Sequence, residues 1–315
     1  MTPDVILREV GLRDGLQLVT GDLPTGRKID WIRREAALGV REIEVTSFVP
    51  ASAFPIFADA RAVVAAAHQI PDLLVSVLTP NLKGAAFAMD AGVAKINYVV
   101  SASEAHSMAN VRRSTAEAIE DFARIVRLRQ ERGLSDQVQL SCGVATAFGC
   151  TIQGVVEEGV ALDVARRLID IGADEVMLAD TVGYADPTQV ERMFDTALQA
   201  LGDFPLAAHF HDTRGLGLAN IAAAARVGIR RFDASLGGLG GCPHAPGATG
   251  NVDFEDAAFL LETMGLSTGL DLEGLIALRK DAQAWLPEER FVGALARSGL
   301  PKTFVRAPRT RLQHS

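Results

Sequence analysis

Two histidines, His209 and His211, stand at i and i+2 in the stretch AAHFHDTRGLGLAN (207–220), between small apolar residues and with Asp212 immediately after. Side chains two apart on a strand point to the same side, so at a strand's end both imidazoles can converge on one ion. The bland alternative is one core histidine and one helix cap, and Asp212 fits the N-cap of the helix that follows. A second chemical stretch, REVGLRDGLQ, sets Arg13 beside Asp14 in a Gly-flanked turn. A solvated ion pair in a turn is the ordinary explanation of such an R-D-G. If that turn opens on the same space as the histidines, Asp14 adds a hard oxygen ligand and Arg13 a fixed cation for a carbonyl or carboxylate. Oxygen and imidazole ligands with room for substrate suit Mg2+ or Mn2+ better than a closed structural zinc site, with zinc as the alternative.

A third stretch, GGLGGCPHAPGATGN (237–251), holds six glycines, two prolines and Cys242. It is neither helix nor strand; it reads as a loop that lets backbone approach a ligand and closes over it. A thiol on such a lid can protonate a carbanion once water is excluded, against the alternative of a flexible connection with a chance cysteine. Cys142 and Cys150 lie in or near a strand and read as core residues.

These groups need a scaffold that brings them together. Eight β-rich runs begin near Val5, Glu42, Leu73, Lys95, Val138, Glu175, Leu206 and Arg231, and helical patterns lie between them. Regular alternation implies parallel strands with right-handed crossovers, and eight repeats predict an α/β protein with a closed (β/α)8 TIM barrel rather than an open doubly wound sheet. The expected division is a catalytic barrel over 1–251 and a C-terminal helical appendage with a basic tail over 252–315, packed on the barrel. In such barrels chemistry sits at the C-terminal ends of the strands, which singles out Arg13, Asp14, Glu44, Asn81, Asp180, His209 and His211. A net charge of −8 without basic runs argues against nucleic acid. With no basic leader and no long apolar run, the expectation is a cytoplasmic protein without a membrane span.

Taken together, EVGLRDGLQ, IEVTSFVP, LTPNLKG, LADTVG, HFHDTRGLGLAN and GGLGGCPHAPGATGNVDFED make the chain resemble the 3-hydroxy-3-methylglutaryl-CoA lyase family, related to isopropylmalate synthase. The resemblance spans residues 9 to about 256. It implies metal ligation by Asp14, His209, His211 and Asn251, with Mg2+ or Mn2+ as the cofactor. It also implies acidic positions at Glu44, Asp180 and Glu255, an arginine on the thioester oxygen at Arg13, and the loop cysteine at Cys242. The implied reaction cleaves a 3-hydroxyacyl-CoA between C2 and C3, with Asp14 and His211 both open as the base. By position, Gln17, Asn81 and Lys83 are expected near substrate or CoA, although Asn81 also reads as a helix cap and Lys83 as a solvated lysine. A homodimer is expected, since the apolar appendage must bury its surface somewhere.

Several mouth residues depart from the family pattern. GLQLVTGDLP stands where the family has an Asn-Glu pair, ASAFPIFAD replaces a Lys-Trp-containing segment, LSCGVATAFGCTIQG lacks a tyrosine, and His244 takes the place of another. A lyase for a different acyl-CoA, such as citramalyl-CoA, is therefore the main alternative. A Claisen-type synthase is a second rival, opposed by the cysteine loop. A non-catalytic metal- or CoA-binding barrel ranks last, because Arg13, Glu44, Asp180 and Cys242 are all present.

Overall fold

The computed structural model describes residues 3–241 and 250–308. Eight parallel strands close into a barrel in sequence order: β1 (Ile6–Glu9), β2 (Glu42–Ser47), β3 (Leu74–Leu78), β4 (Lys95–Ser101), β5 (Gln139–Ala145), β6 (Glu175–Asp180), β7 (Leu206–Phe210) and β8 (Arg231–Ala234), with β8 pairing back onto β1. This is the expected (β/α)8 architecture. The helices that cover it are α1 (Thr25–Ala37), α2 (Ala60–Ala67), α3 (Leu82–Asp90), α4 (Glu104–Val111), α5 (Thr115–Glu131), α6 (Glu158–Ile171), α7 (Pro187–Leu201) and α8 (Gly217–Arg226).

Between β4 and β5 the chain makes two helices. Arg112 adopts φ 55° and ends α4, and a capping box of Ser114 and Glu117 starts α5. A single αL residue thus frees a short helix at the barrel mouth. Past β8 come α9 (Phe254–Thr263), α10 (Leu272–Trp285) and α11 (Leu295–Ser298). α9 packs on β1 and α8 and so takes the eighth place in the helical ring, while α10 packs on α1 and α9. Among the described residues no helix is long and apolar enough to cross a membrane.

Valine, isoleucine and leucine fill the layer between strands and helices, as both faces of a parallel sheet require. Cys142 and Cys150 belong to that core, and burial pushes the Cys142 thiol up. Charge occupies much of the barrel interior. Arg8 reaches Glu175 at 2.5 Å and Asp233 at 2.6 Å, and Lys95 reaches Glu42 at 2.7 Å and Glu175 at 2.9 Å, all five side chains being buried. These ion pairs form the floor beneath the mouth.

Candidate active site and metal centre

After β1 the backbone winds into a tight turn, Gly11–Gly15, in which the N–H groups of Arg13, Asp14 and Gly15 all donate to the Val10 carbonyl. The winding lifts Arg13 and Asp14 over the barrel mouth. Arg13 Nε donates to Glu44, and its Nη1 donates to Asp14 at 2.7 Å. Glu44 also accepts from Asn97 at 2.8 Å. The guanidinium is thereby held in one orientation by two carboxylates. Burial pushes the Glu44 carboxyl up in spite of Arg13 and Asn97.

On the other side of the mouth, His209 is the penultimate residue of β7 and His211 lies just past its end, with ring centroids 5.0 Å apart. The register of β7 and β8 sets His209 beside Asp233, and His209 Nδ1 pairs with Asp233 at 3.1 Å. That leaves Nε2 as the ligand nitrogen, the usual arrangement of a metal-binding imidazole. Nε2 of His211 lies 3.8 Å from Asp14 Oδ2. Ligand atoms of Asp14, His209 and His211 all fall within 4.8 Å of one another. Asn251, bridged to His211 through the backbone, donates from Nδ2 to Asp14 at 2.8 Å and to the Leu239 carbonyl at 3.2 Å. All four expected ligands therefore meet.

Whether a cation suits this cluster can be judged from its unpaired atoms. Asn251 Oδ1 and His211 Nδ1 are buried without a hydrogen-bond partner among the described residues, a condition that costs free energy unless a ligand or water satisfies them. One carboxylate, two imidazoles and an orphaned amide oxygen are a donor set that fits a divalent cation. Electrostatics agree. Burial raises the Asp14 carboxyl, but Arg13, His209 and His211 outweigh it and hold it at about 2. Burial and His209 lower His211 to about 4, so both groups are unprotonated near neutral pH.

The cluster forms one wall of a cavity of about 260 Å3, also lined by Gln17, Thr79, Tyr98, His106, Asn110, Met177, Thr181 and Gly241. Much of the remaining lining is apolar: Val49, Phe54, Leu78, Pro80, Val99 and Val111. Four other expected residues stand elsewhere. Asn81 caps α3 by accepting from Gly84 N–H at 3.0 Å, and Lys83 lies 5.8 Å over the Phe87 ring. The cap and the surface lysine that the sequence offered as alternatives describe their contacts here. Asp180 accepts from the N–H groups of Tyr184 at 2.8 Å and Ala185 at 3.0 Å, and burial raises it to about 6. Its carboxylate shapes the loop after β6. Glu255 is buried on α9 and accepts from Gly237 N–H at 2.9 Å. Cys242 and His244 lie outside the described residues.

Sequence reasoning did not single out Asp233, Asn97 or His106. Asp233 had a signal: once β7 and β8 are parallel neighbours, an acid near the end of β8 falls beside the first histidine. Asn97 and His106 had none.

A family profile described as HMGL-like matches residues 4–281. The chain is 39% identical over 264 residues to the cytoplasmic 3-hydroxy-3-methylglutaryl-CoA lyase of Homo sapiens, covering 84% of this chain and 70% of that one. It is 39% identical over 292 residues to the (R)-citramalyl-CoA lyase of Chloroflexus aurantiacus, covering 90% of each. Among solved structures, an HMG-CoA lyase from Acinetobacter baumannii in complex with coenzyme A and 3-methylmalate superposes with a TM-score of 0.89 at 39% identity, covering 98% of this chain and 100% of that one.

Proposed function

The chain belongs to the HMGL-like family, and from that premise we propose that it is a divalent-metal-dependent carbon–carbon lyase. Its substrate is a 3-hydroxyacyl-CoA of the 3-hydroxy-3-methylglutaryl type, cleaved to acetyl-CoA and a keto acid, acetoacetate for that substrate. The observation that carries the reading is the convergence of Asp14, His209 and His211 beside a fixed arginine on a single cavity at the barrel mouth.

Asp14, His209, His211 and Asn251 hold the cation, Mg2+ or Mn2+. When bound, it polarises substrate oxygens and makes the 3-hydroxyl more acidic. Asp14 and His211 are the two candidate bases for the hydroxyl proton. As the C2–C3 bond breaks, its electron pair passes into the thioester, and Arg13, locked by Glu44 and Asp14, faces the oxygen on which charge develops. Pre-organisation is what the two carboxylates contribute, since a guanidinium free to reorient would lose much of that stabilisation. Cys242 delivers its thiol proton to the enolate carbon, and the proton held by the base restores the thiol. Gly241, the residue before it, lines the cavity. The same reading carries the expectation of a cytoplasmic homodimer, which light scattering of the purified protein checks.

A second reading, a lyase for citramalyl-CoA or a related acyl group, is supported by the citramalyl-CoA lyase relative, as similar to this chain as the human HMG-CoA lyase is. The deciding experiment offers both thioesters in parallel with Mg2+ or Mn2+ and follows acetyl-CoA release, with EDTA as control. Preference for hydroxymethylglutaryl-CoA, abolished by EDTA, supports the first reading; preference for citramalyl-CoA selects the second. EDTA-insensitive turnover refutes both. His209→Ala is expected to abolish ion binding and turnover together, and Cys242→Ala to keep the ion and lose most of kcat.

A further inference from the structure

Arg8 and Glu9 are consecutive on β1, and strand alternation sends them to opposite sides. Arg8 enters the barrel. Glu9 points outward under the mouth, where it is fully buried. Both of its oxygens accept backbone donors. The N–H of Gly11 donates to Oε1, and the N–H of Leu236 reaches Oε2 at 3.0 Å and Oε1 at 3.3 Å. Gly11 opens the turn that carries Arg13 and Asp14. Leu236 opens the short turn Leu236–Gly238, from which the glycine-rich segment leaves β8. One carboxyl group thus ties together two loops, the second of them 227 residues along the chain from Glu9. The contact is close: a Cβ on Gly11 would lie 2.8 Å from Ser235 Oγ, at the end of β8.

The surroundings hold Glu9 in place. Glu35, fixed by Trp31 Nε1 at 2.7 Å, stands against it from α1, and Glu255 takes the next amide, that of Gly237. At the far end of the glycine-rich segment, Asn251 makes the corresponding tie to Asp14 and to the Leu239 carbonyl. The segment is therefore anchored to the first loop at both its entry and its exit. Glu9 is not among the residues that line the cavity, so it reaches the site through the two backbone turns it holds.

We propose that Glu9 is a positioning residue of the reaction, whose carboxyl group sets the Arg13–Asp14 turn against the Leu236–Gly238 turn and so fixes where Asp14 and Arg13 stand at the mouth. The inference rests on the metal-dependent reading above. Because it depends on reach across two loops rather than on charge, two variants separate it from a merely structural role. Glu9→Asp keeps the carboxyl group and is one methylene too short to serve both loops. Glu9→Gln keeps the length and, in the place of Oε1, an acceptor within reach of both amides, and removes the ionisable proton.

The experiment measures Mn2+ binding by calorimetry, kcat and KM, and the thermal midpoint on the full-length wild type and both variants. Glu9→Asp is expected to bind Mn2+ about tenfold more weakly, as loss of an outer positioning group does. Its kcat should fall about a hundredfold, the scale of a 1 Å misplacement, with KM little changed. Glu9→Gln should recover most of both losses. Wild-type Mn2+ affinity and kcat in folded Glu9→Asp, with only the midpoint lowered, overturn the proposal. So does a Glu9→Gln variant as impaired as Glu9→Asp, which would make the carboxyl group itself, and not its reach, the deciding property. A wild type that takes up no Mn2+ refutes the metal reading instead, and with it the ligand that Glu9 is said to place.

Discussion

The two halves of the acidic machinery beneath the mouth handle charge in opposite ways. Inside the barrel, Glu42, Glu175 and Asp233 face Arg8 and Lys95. Outside it, Glu9, Glu35, Asp253 and Glu255 crowd together, and among the described residues Arg279 is the cation paired with them, 3.5 Å from Glu255. Burial pushes the carboxyls of Glu175 and Asp233 up, as it does the outer ones, yet Arg8 and Lys95 outweigh it for Glu175 and leave it well below the usual carboxylate range. In the outer cluster burial prevails. Glu35 is raised to about 8 and Glu255 to about 7. Inside, Glu175 and Asp233 keep their charge because cations meet it; outside, protons do that work. The inner group can therefore hold His209 with a full negative charge, whereas the outer group offers neutral hydrogen-bonding geometry to backbone amides.

The largest test of the contrast is Lys95→Met. It leaves Glu42 and Glu175 buried with only Arg8 between them, and breaking a buried pair from one side costs about 3–5 kcal/mol. Urea unfolding at pH 7 should show that loss, and it should shrink at pH 5 as a carboxyl takes up a proton. An unchanged midpoint would mean the interior pairs contribute nothing net. Next in size is Asp233→Asn. The amide no longer charges the His209 Nδ1 side, so divalent-ion affinity should fall about 10–100-fold, measured by Mn2+ titration. Unaltered affinity would detach the barrel floor from the metal site.

The same contrast explains how much could be read in advance. Strand order, barrel closure and the meeting of Asp14, His209 and His211 follow from local signals, namely alternation of elements, i and i+2 spacing, and turns made by glycine, whereas Asn251 enters only through the family resemblance. Arg8, Lys95 and Glu175 look like surface charges within strand runs, because a sequence does not reveal which residues of a closed barrel point to its axis. Glu9 shows the same limit more sharply. Its neighbour Arg8 differs by one position, and only the placement of α1 and the β8 turn decides that Glu9 meets two loops. Asp180, at the end of a strand, and Glu255, through the family resemblance, are expected at acidic positions of the site, and in the structure their carboxylates accept from backbone amides. The division at the mouth between groups that touch the cavity and groups that shape its loops requires three dimensions.

The smallest expected effect sharpens the comparison from the solvent side. For Glu35 the folded pKa is raised from 4.5 to about 8 by burial. A carboxyl raised on folding lends stability that is complete below about 4.5 and is lost as pH rises through about 8. Glu175 has the opposite sign: its folded pKa is depressed, so its contribution is present above about 4.5 and lost as pH falls toward that lowered value. Wild-type stability should therefore decline on both limbs, through different clusters. One proton bound only in the folded state gives a slope of at most about 1.4 kcal/mol per pH unit, so between pH 7 and 9 the outer cluster should cost about 1–2 kcal/mol. Glu35→Gln retains the acceptor for Trp31 Nε1 and fixes the neutral state. Urea midpoints at pH 5, 7 and 9 should show its alkaline decline shallower than wild type, with the acid limb unchanged. Parallel alkaline limbs would mean that Glu35 is ionised in the folded protein, and that the outer cluster is not held together by protons.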